Sequence, residues 1–314
     1  MDMSYDVVVI GGGAAGLSAG LTLGRSRRSV LVIDGGEPRN APAAHMHNYL
    51  SRDGVAPGEL LAAGRAEVKA YGGEVTGGSV VSATKTADGF LVTLADGRVA
   101  EGRRLVVATG VVDRLPDIEG LSGRWGRDVV HCPYCHGWEV RDQPIGVVAT
   151  GAVSVHQALL FRQLSADVVF FAHTAPPLDD SAAERLAARG IAVVEGAVVA
   201  LDVEDDRVTG VRLSTGVVVP RAVVAVATRF VPRVPEGLGL DVVDVVFGDE
   251  VVGARVPTDA TGATSVPGVW AAGNVADPMA QVISAAAAGT AVAAAINADL
   301  INEETALAVT ALRS

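Results

Sequence analysis

The sequence predicts an α/β protein built from two Rossmann-like dinucleotide-binding domains, each a three-layer ββα unit, with the second inserted into a discontinuous first. Three observations carry this. A glycine-rich loop joins an apolar β-branched run to a helical stretch near the N-terminus. A weaker copy of that strand–loop–helix–strand pattern recurs in mid-chain. A last strand and turn, followed by a long Ala-rich helical stretch, completes the unit that the N-terminus began. The divisions read as residues 1–115 with 246–314 for the outer domain and 116–245 for the inserted one, and 314 residues suffice for two buried cores.

Each element follows from local pattern. Residues 6–10 (Asp-Val-Val-Val-Ile) read as a buried parallel strand, 17–28 as a helix and 30–33 as a second strand ending in Asp34. Residues 80–84, 90–94 and 105–107 read as strands, the first three runs being parted by the turn signals Ala87-Asp88-Gly89 and Ala95-Asp96-Gly97. The mid-chain copy places a strand at 145–149, a turn at Gly151, a helix at 153–164 and a strand at 168–171. Residues 268–274 read as strand then turn, and 302–314 as helical with no legible role.

Composition narrows the function classes. Hydrophobic residues make up 49% and charged residues 19%, a globular balance. The net charge of -11 argues against a large nucleic-acid or anionic-membrane surface, which needs clustered Lys and Arg. Residues 1–5 are too short and polar for a secretory signal, and the Ala-rich stretch 282–296 falls short of the ~20 apolar residues a membrane span requires. The expectation is a cytoplasmic protein. Its two cysteines sit three apart, which suits redox or metal chemistry rather than a secreted disulfide scaffold.

The first loop is Gly11-x-Gly13-x-x-Gly16, with Ala14 and Ala15 between the last two glycines. Gly11 permits a tight turn, Gly13 lets backbone approach a pyrophosphate, and Gly16 allows close helix–strand packing. The helix start offers free N–H groups and a positive dipole end to phosphate. Asp34, followed by Gly35, stands 21 residues after Gly13, where a carboxylate can accept from ribose hydroxyls. The loop points to a dinucleotide without separating FAD from NAD.

Other segments separate them. Ala108-Thr109-Gly110 after an apolar strand, and residues 266–274 ending in Gly273-Asn274, resemble flavin-contacting segments of two-dinucleotide-domain flavoproteins. With Cys132-Pro133-Tyr134-Cys135 between them, essentially the whole chain resembles the low-molecular-weight thioredoxin reductase family. The resemblance implies FAD, with Gly11, Gly13 and Gly16 at the pyrophosphate, Asp34 at the adenosine ribose, and Arg39 and Asn48 towards the ribityl–isoalloxazine side. It places Ala108, Thr109, Gly110, Gly273 and Asn274 along the flavin and Gln281 and Val282 at its ring. The family usually has Asp where this chain has Asn274, which can still hydrogen-bond a ribityl hydroxyl or phosphate. A helix starting near Ala280 would aim its N-terminus at the flavin and favour the anionic reduced ring. A homodimer is implied as well.

The Cys-x-x-Cys pair can close a small disulfide ring whose thiolates respond to nearby charge. The thiolate is the nucleophile in exchange, so a proton acceptor matters, and His136 immediately follows Cys135. By resemblance, Cys135 lies nearer the flavin and makes the charge-transfer contact, while Cys132 exchanges with substrate. A metal site on His131, Cys132, Cys135 and His136 is the competing reading, but four ligands so crowded in sequence strain a tetrahedral shell. No metal is expected. His131 reads as a strand-end residue, and His45, His47, His156 and His173 as surface or packing residues.

The second domain departs from the family. Its fingerprint reads Ala149-Thr150-Gly151-Ala152-Val153-Ser154, and no Arg or Lys stands between Val168 and Glu184, where a 2′-phosphate would need one. NADPH binding is therefore doubtful. The run from Cys132 to Gly137 looks like the small-molecule dithiol oxidases of this family, which close the disulfides of secondary metabolites such as gliotoxin and holomycin; reductases carry Asp where this chain has His136. The leading expectation is an oxidase passing electrons from a small-molecule dithiol through Cys132 and Cys135 to FAD and then to molecular oxygen, giving peroxide. A reductase with NAD(P)H or another donor, and a flavin-containing redox sensor, stay open.

Overall fold

The computed structural model describes residues 4–314, and the strand Ser4–Ile10 lies inside its seven-stranded outer sheet. It pairs in parallel with Val30–Asp34 on one side and with Val99–Val107 on the other. Val7 and Val9 join one core with the helices Ala14–Arg25 and Val282–Arg313. Val8 and Ile10 join the opposite core with Phe90, Val92 and Val269. The side-chain period of two thus feeds both layers from one short run, as a parallel sheet covered on both faces requires.

The strand Val99–Val107 is longer than residues 105–107. Its first half pairs antiparallel with Phe90–Leu94 and its last three residues pair in parallel with Val269–Ala271. Arg103 and Arg104 hide the strand in the sequence because their stems lie in the sheet while their guanidiniums reach the last helix. Arg103 meets Asp6 at 2.9 Å and Glu303 and Glu304 at 2.8 Å, and Arg104 meets Asp299 at 2.7 Å.

That last helix corrects another expectation. It runs 32 residues, Val282–Arg313, so by length and composition it is long and apolar enough to cross a membrane. Within residues 297–304, Asn297, Asp299, Glu303 and Glu304 meet arginines, and the helix continues through them. Ala285, Ala286, Gly289, Val292, Ala293, Ile296 and Leu300 are buried. A side chain at Gly289 would run into the Ala15 carbonyl, so glycine there lets the first and last helices cross closely.

The inserted domain carries a parallel five-stranded sheet in the order Ala192–Val194, Val168–Phe171, Ile145–Val148, Val223–Val226, Val129–Val130. Phe161, Phe170 and Leu186 fill one face and Phe171 and Leu121 the other. A three-stranded antiparallel sheet made of Val198–Glu204, Arg207–Leu213 and Val218–Pro220 lies on the second face. The chain crosses out through Val111–Arg114 and back through Arg229–Pro232, which pair antiparallel. The expected return point at 245/246 falls inside the strand Val243–Phe247, whose hairpin partner Glu250–Arg255 pairs with the returning strand. Hydrogen bonding through that sheet therefore continues across the boundary drawn from sequence.

Candidate active site

The loop after the first strand is shaped by steric necessity. Gly11 has φ +116°, and a Cβ there would strike the Ala108 carbonyl; a Cβ on Gly16 would strike the Gly11 carbonyl. Gly12, passed over in the sequence, is equally constrained, since its Cβ would enter the Asp34 carboxylate. Gly13 differs. Its φ of -77° suits any residue and its Cβ would meet nothing within 4 Å, so this position faces open cleft at the start of the first helix. Asp34 accepts from Gly36 N at 2.9 Å and from the Arg65 guanidinium at 3.2 Å.

The cleft has a volume of about 680 Å³ and runs from Asp34 and Gly35, past Gly11, Gly13, Ala14 and Ala15, to Cys132, Cys135 and His136 on the inserted domain. Ala108, Thr109, Gly110, Arg39, Gly273, Asn274, Gln281 and Val282 also line it. Gly16 lies behind the loop. Asn48 also stands off the cleft: its side-chain amide donates to the Tyr134 carbonyl at 2.6 Å, so it braces the cysteine turn instead.

The strand Val129–Val130 pairs with Val223–Val226 and delivers Cys132 to the carboxyl end of the inserted sheet. Pro133, first in the single turn Pro133–His136, lacks an N–H where none is needed. Cys135 N and His136 N both donate to the Cys132 carbonyl, at 3.2 and 3.1 Å. This turn brings the Cys132 and Cys135 Cα atoms to 5.2 Å, and the two sulfurs are bonded. Both His136 ring nitrogens are buried without a hydrogen-bond partner among the described residues. Burial pushes the His136 pKa below 6.5, with Glu139 opposing and His47 adding to the shift. His47 is no simple surface residue: its ring lies 3.4 Å from Asp53 and 3.3 Å from Glu139, and it lines the cleft with His45.

A charge network missing from the sequence reading supports the middle of the cleft. Asp113 takes a bidentate pair from Arg39 at 2.7 Å and a hydrogen bond from Thr228 at 2.6 Å. Burial raises the Asp113 pKa, but Arg39 and Thr228 outweigh it and hold the carboxyl below 3.8. Arg39 also donates to the Pro278 carbonyl at 2.7 Å and stacks over Phe230. His131 is a buried ring against the Phe230 edge; its Nδ1 lies 3.1 Å from the Val226 carbonyl, which can only accept, so Nδ1 carries the proton. Burial depresses its pKa too. Asp113, Thr228 and Phe230 come from the two crossing segments, and nothing local announces that those segments pair.

Asp113→Ala would strand the Arg39 charge in a partly buried site. A loss of about 3 kcal/mol in urea unfolding of the apoprotein is expected. A depressed carboxylate contributes its stability above its unfolded pKa of 3.8 and loses it as pH falls through the lower folded value. The wild type should therefore show an acid decline below pH 3.8 that is shallower in Asp113→Ala.

Asn274 explains its own departure from aspartate. Its Nδ2 donates to the carbonyls of Asp277, Pro278 and Ala280 at 3.1, 3.3 and 2.8 Å, folding the loop that leads to the last helix. A carboxylate could not donate there, and the amide oxygen is left to accept from a ligand hydroxyl.

An open-faced glycine at a helix start, an acidic residue at the second strand end and a long cleft ending at a disulfide fit FAD. Together they define a two-dinucleotide-domain flavoprotein with a redox disulfide. The profile of the pyridine nucleotide-disulphide oxidoreductases matches residues 5–290, and the chain belongs to that family, in its thioredoxin-reductase-like branch. Members of that branch bind FAD, as does this protein. Thioredoxin reductase sirT of Leptosphaeria maculans is 32% identical over 317 residues, 93% of each chain. Thioredoxin reductase tcpT of Claviceps purpurea is 40% identical over 159 residues, about half of each chain. Among solved structures, HlmI superposes with a TM-score of 0.90 at 49% identity, covering 98% of this chain and 96% of its own. An oxidoreductase from Agrobacterium tumefaciens gives 0.88 at 35% identity, covering 95% and 99%.

Proposed function

We propose that the protein is an FAD-dependent dithiol oxidase that forms an intramolecular disulfide in a small-molecule natural product, acting as a cytoplasmic homodimer. The observation that carries this reading is the placement of the Cys132–Cys135 disulfide and the unpartnered His136 on one cleft with the glycine cradle. Gly11, Gly13, Asp34, Asn274 and Gln281 would hold the cofactor. FAD, when bound, supplies the two-electron acceptor that reoxidises the cysteine pair and delivers the electrons to oxygen, with hydrogen peroxide as product.

The chain's own residues do the rest. A substrate thiolate attacks Cys132, the Cys132–Cys135 bond breaks, and Cys135 leaves as thiolate. The second substrate thiol attacks the sulfur now joined to Cys132, closing the substrate disulfide and freeing Cys132. His136 takes the proton from the first incoming thiol, passes it to solvent, and then takes the proton from the second. Its depressed pKa keeps the ring neutral at pH 7 and free to accept. Tyr134 and Trp138 stand exposed by the cysteine turn, aromatic faces able to pack an organic dithiol, with the Arg141 guanidinium stacked over Trp138.

His136→Ala should lower dithiol oxidation about a hundredfold at pH 7. A neutral imidazole is needed, so the wild-type acid limb falls below pH 6.5; the variant should lose that limb and follow thiol ionisation upward in pH. A variant turning over at the wild-type rate refutes the role.

The names of sirT and tcpT favour a second reading, a thioredoxin-type reductase fed by a pyridine nucleotide. Anaerobic mixing separates the two. Flavin bleaching by a small dithiol, with colour and peroxide returning in air, supports the oxidase. Rapid bleaching by NADPH or NADH supports the reductase.

A further inference from the structure

The second glycine loop lies where a dinucleotide fold receives a diphosphate: between the strand Ile145–Val148 and the start of the helix Val153–Phe161, at the carboxyl edge of the inserted sheet. That place is taken. The Glu250 carboxylate, from the hairpin Val243–Phe247/Glu250–Arg255, accepts from Ala152 N at 2.6 Å. A Cβ on Gly151 would collide with both Glu250 carboxylate oxygens. Gly151 thus keeps the role of letting an anion approach the backbone closely, and the anion that approaches is internal.

Three further contacts make this a fitted arrangement. Phe247, near the same hairpin turn, lies against His156 on the helix, ring centroids 6.0 Å apart. Thr150 N donates to Ser154 Oγ at 3.2 Å, so the serine that replaces a small fingerprint residue satisfies a second N–H of the loop. Asp179, in the segment where a 2′-phosphate would need a cation, caps the helix Asp180–Ala188 by accepting from Ala182 N at 2.6 Å.

We infer that Glu250 is a specificity-determining residue for the electron donor: its carboxylate stands in for a diphosphate at the second glycine loop and excludes pyridine nucleotides by space and by charge. This deepens the oxidase reading and rests on it for its meaning, since a closed donor site leaves the dithiol as the way in. Its physical content is a binding property and is tested by itself. A diphosphate brought to Gly151 would overlap Glu250 and face a like charge at contact distance.

The test is titration of oxidised holoprotein with NADH and NADPH, read by nicotinamide fluorescence and saturation-transfer NMR. The wild type should bind neither at millimolar concentration. Glu250→Ala should bind NADH at least tenfold more tightly than the wild type, with a smaller gain for NADPH because no Arg or Lys stands between Val168 and Glu184 to meet its 2′-phosphate. Glu250→Gln keeps the volume and an acceptor for Ala152 N and should stay closed. Glu250→Ser serves as the opening variant if the alanine protein loses its flavin. Dithiol oxidation should stay within twofold in every folded variant, because Glu250 is outside the catalytic machinery. Wild-type binding of NADH equal to that of Glu250→Ala overturns the inference, and so does a folded opening variant that binds no NADH. Failure of a dithiol to bleach the flavin would instead sink the oxidase reading and leave the binding result standing.

Discussion

Cys135→Ser is expected to stay yellow and to lose dithiol oxidation by about 10⁴-fold or more, the largest effect of any single change in this protein. The glycine loop proposed to hold the flavin lies outside the cysteine turn, so colour and fold should survive the loss of one sulfur. In the proposed reaction, closing a bond between two substrate sulfurs releases two electrons, and the Cys132–Cys135 bond would take them up by breaking. The two cysteines should differ in a second measurement. Incubated with a cyclic disulfide, Cys135→Ser keeps the outer nucleophile and should gain the mass of one ring-opened molecule on Cys132. Cys132→Ser should gain nothing. The reverse pattern would exchange the two roles, and adduct-free protein in both cases would remove the pair from substrate exchange.

The glycine cradle yields the second large effect, and it divides by position. Gly16→Ala drives a methyl into the Gly11 carbonyl, and neither backbone can yield without opening the helix–strand contact. A loss of about 3 kcal/mol in the apoprotein is expected, together with loss of flavin. Gly13→Ala adds the same methyl over open cleft, in a backbone conformation that alanine adopts freely. Its apoprotein should lie within about 1 kcal/mol of the wild type, while FAD affinity falls about tenfold or more. Calorimetry of apoprotein and fluorescence titration with FAD separate the two effects. Equal loss of apoprotein stability in both variants would mean that Gly13 does not face the ligand.

The contrast shows how much of the site was written locally. Glycine spacing between a strand and a helix, Asp34 at the next strand end and the Cys-x-x-Cys run are short-range patterns, because backbone sterics and turn closure act within a few residues. Gly12 was equally legible in principle, yet its constraint comes from Asp34, which only the folded sheet brings beside it. Asn48 shows what the sequence could not: its side-chain partner is the Tyr134 carbonyl, far along the chain, a pairing a loop residue does not signal.

Residues 198–232 and 243–255 gave no strand signal strong enough to order them, and the residues drawn as a boundary at 245/246 lie inside the strand Val243–Phe247. Charges such as Asp202, Arg212 and Arg255 interrupt the apolar alternation within these strands. The Ala-rich stretch 282–296 and the helical residues 302–314 join in one helix, whose Asp299, Glu303 and Glu304 meet Arg28, Arg103 and Arg104.

By itself the sequence determined the two-domain α/β class, the dinucleotide loop and the redox pair, all of which depend on interactions between near neighbours. Only the tertiary structure decided what surrounds them: the Arg39–Asp113 pair, the unpartnered His136 ring on the flavin cleft, and Glu250 at the second glycine loop. Each of these joins residues from separate elements, and a side chain's charge, burial and reach are set by which distant element packs against it.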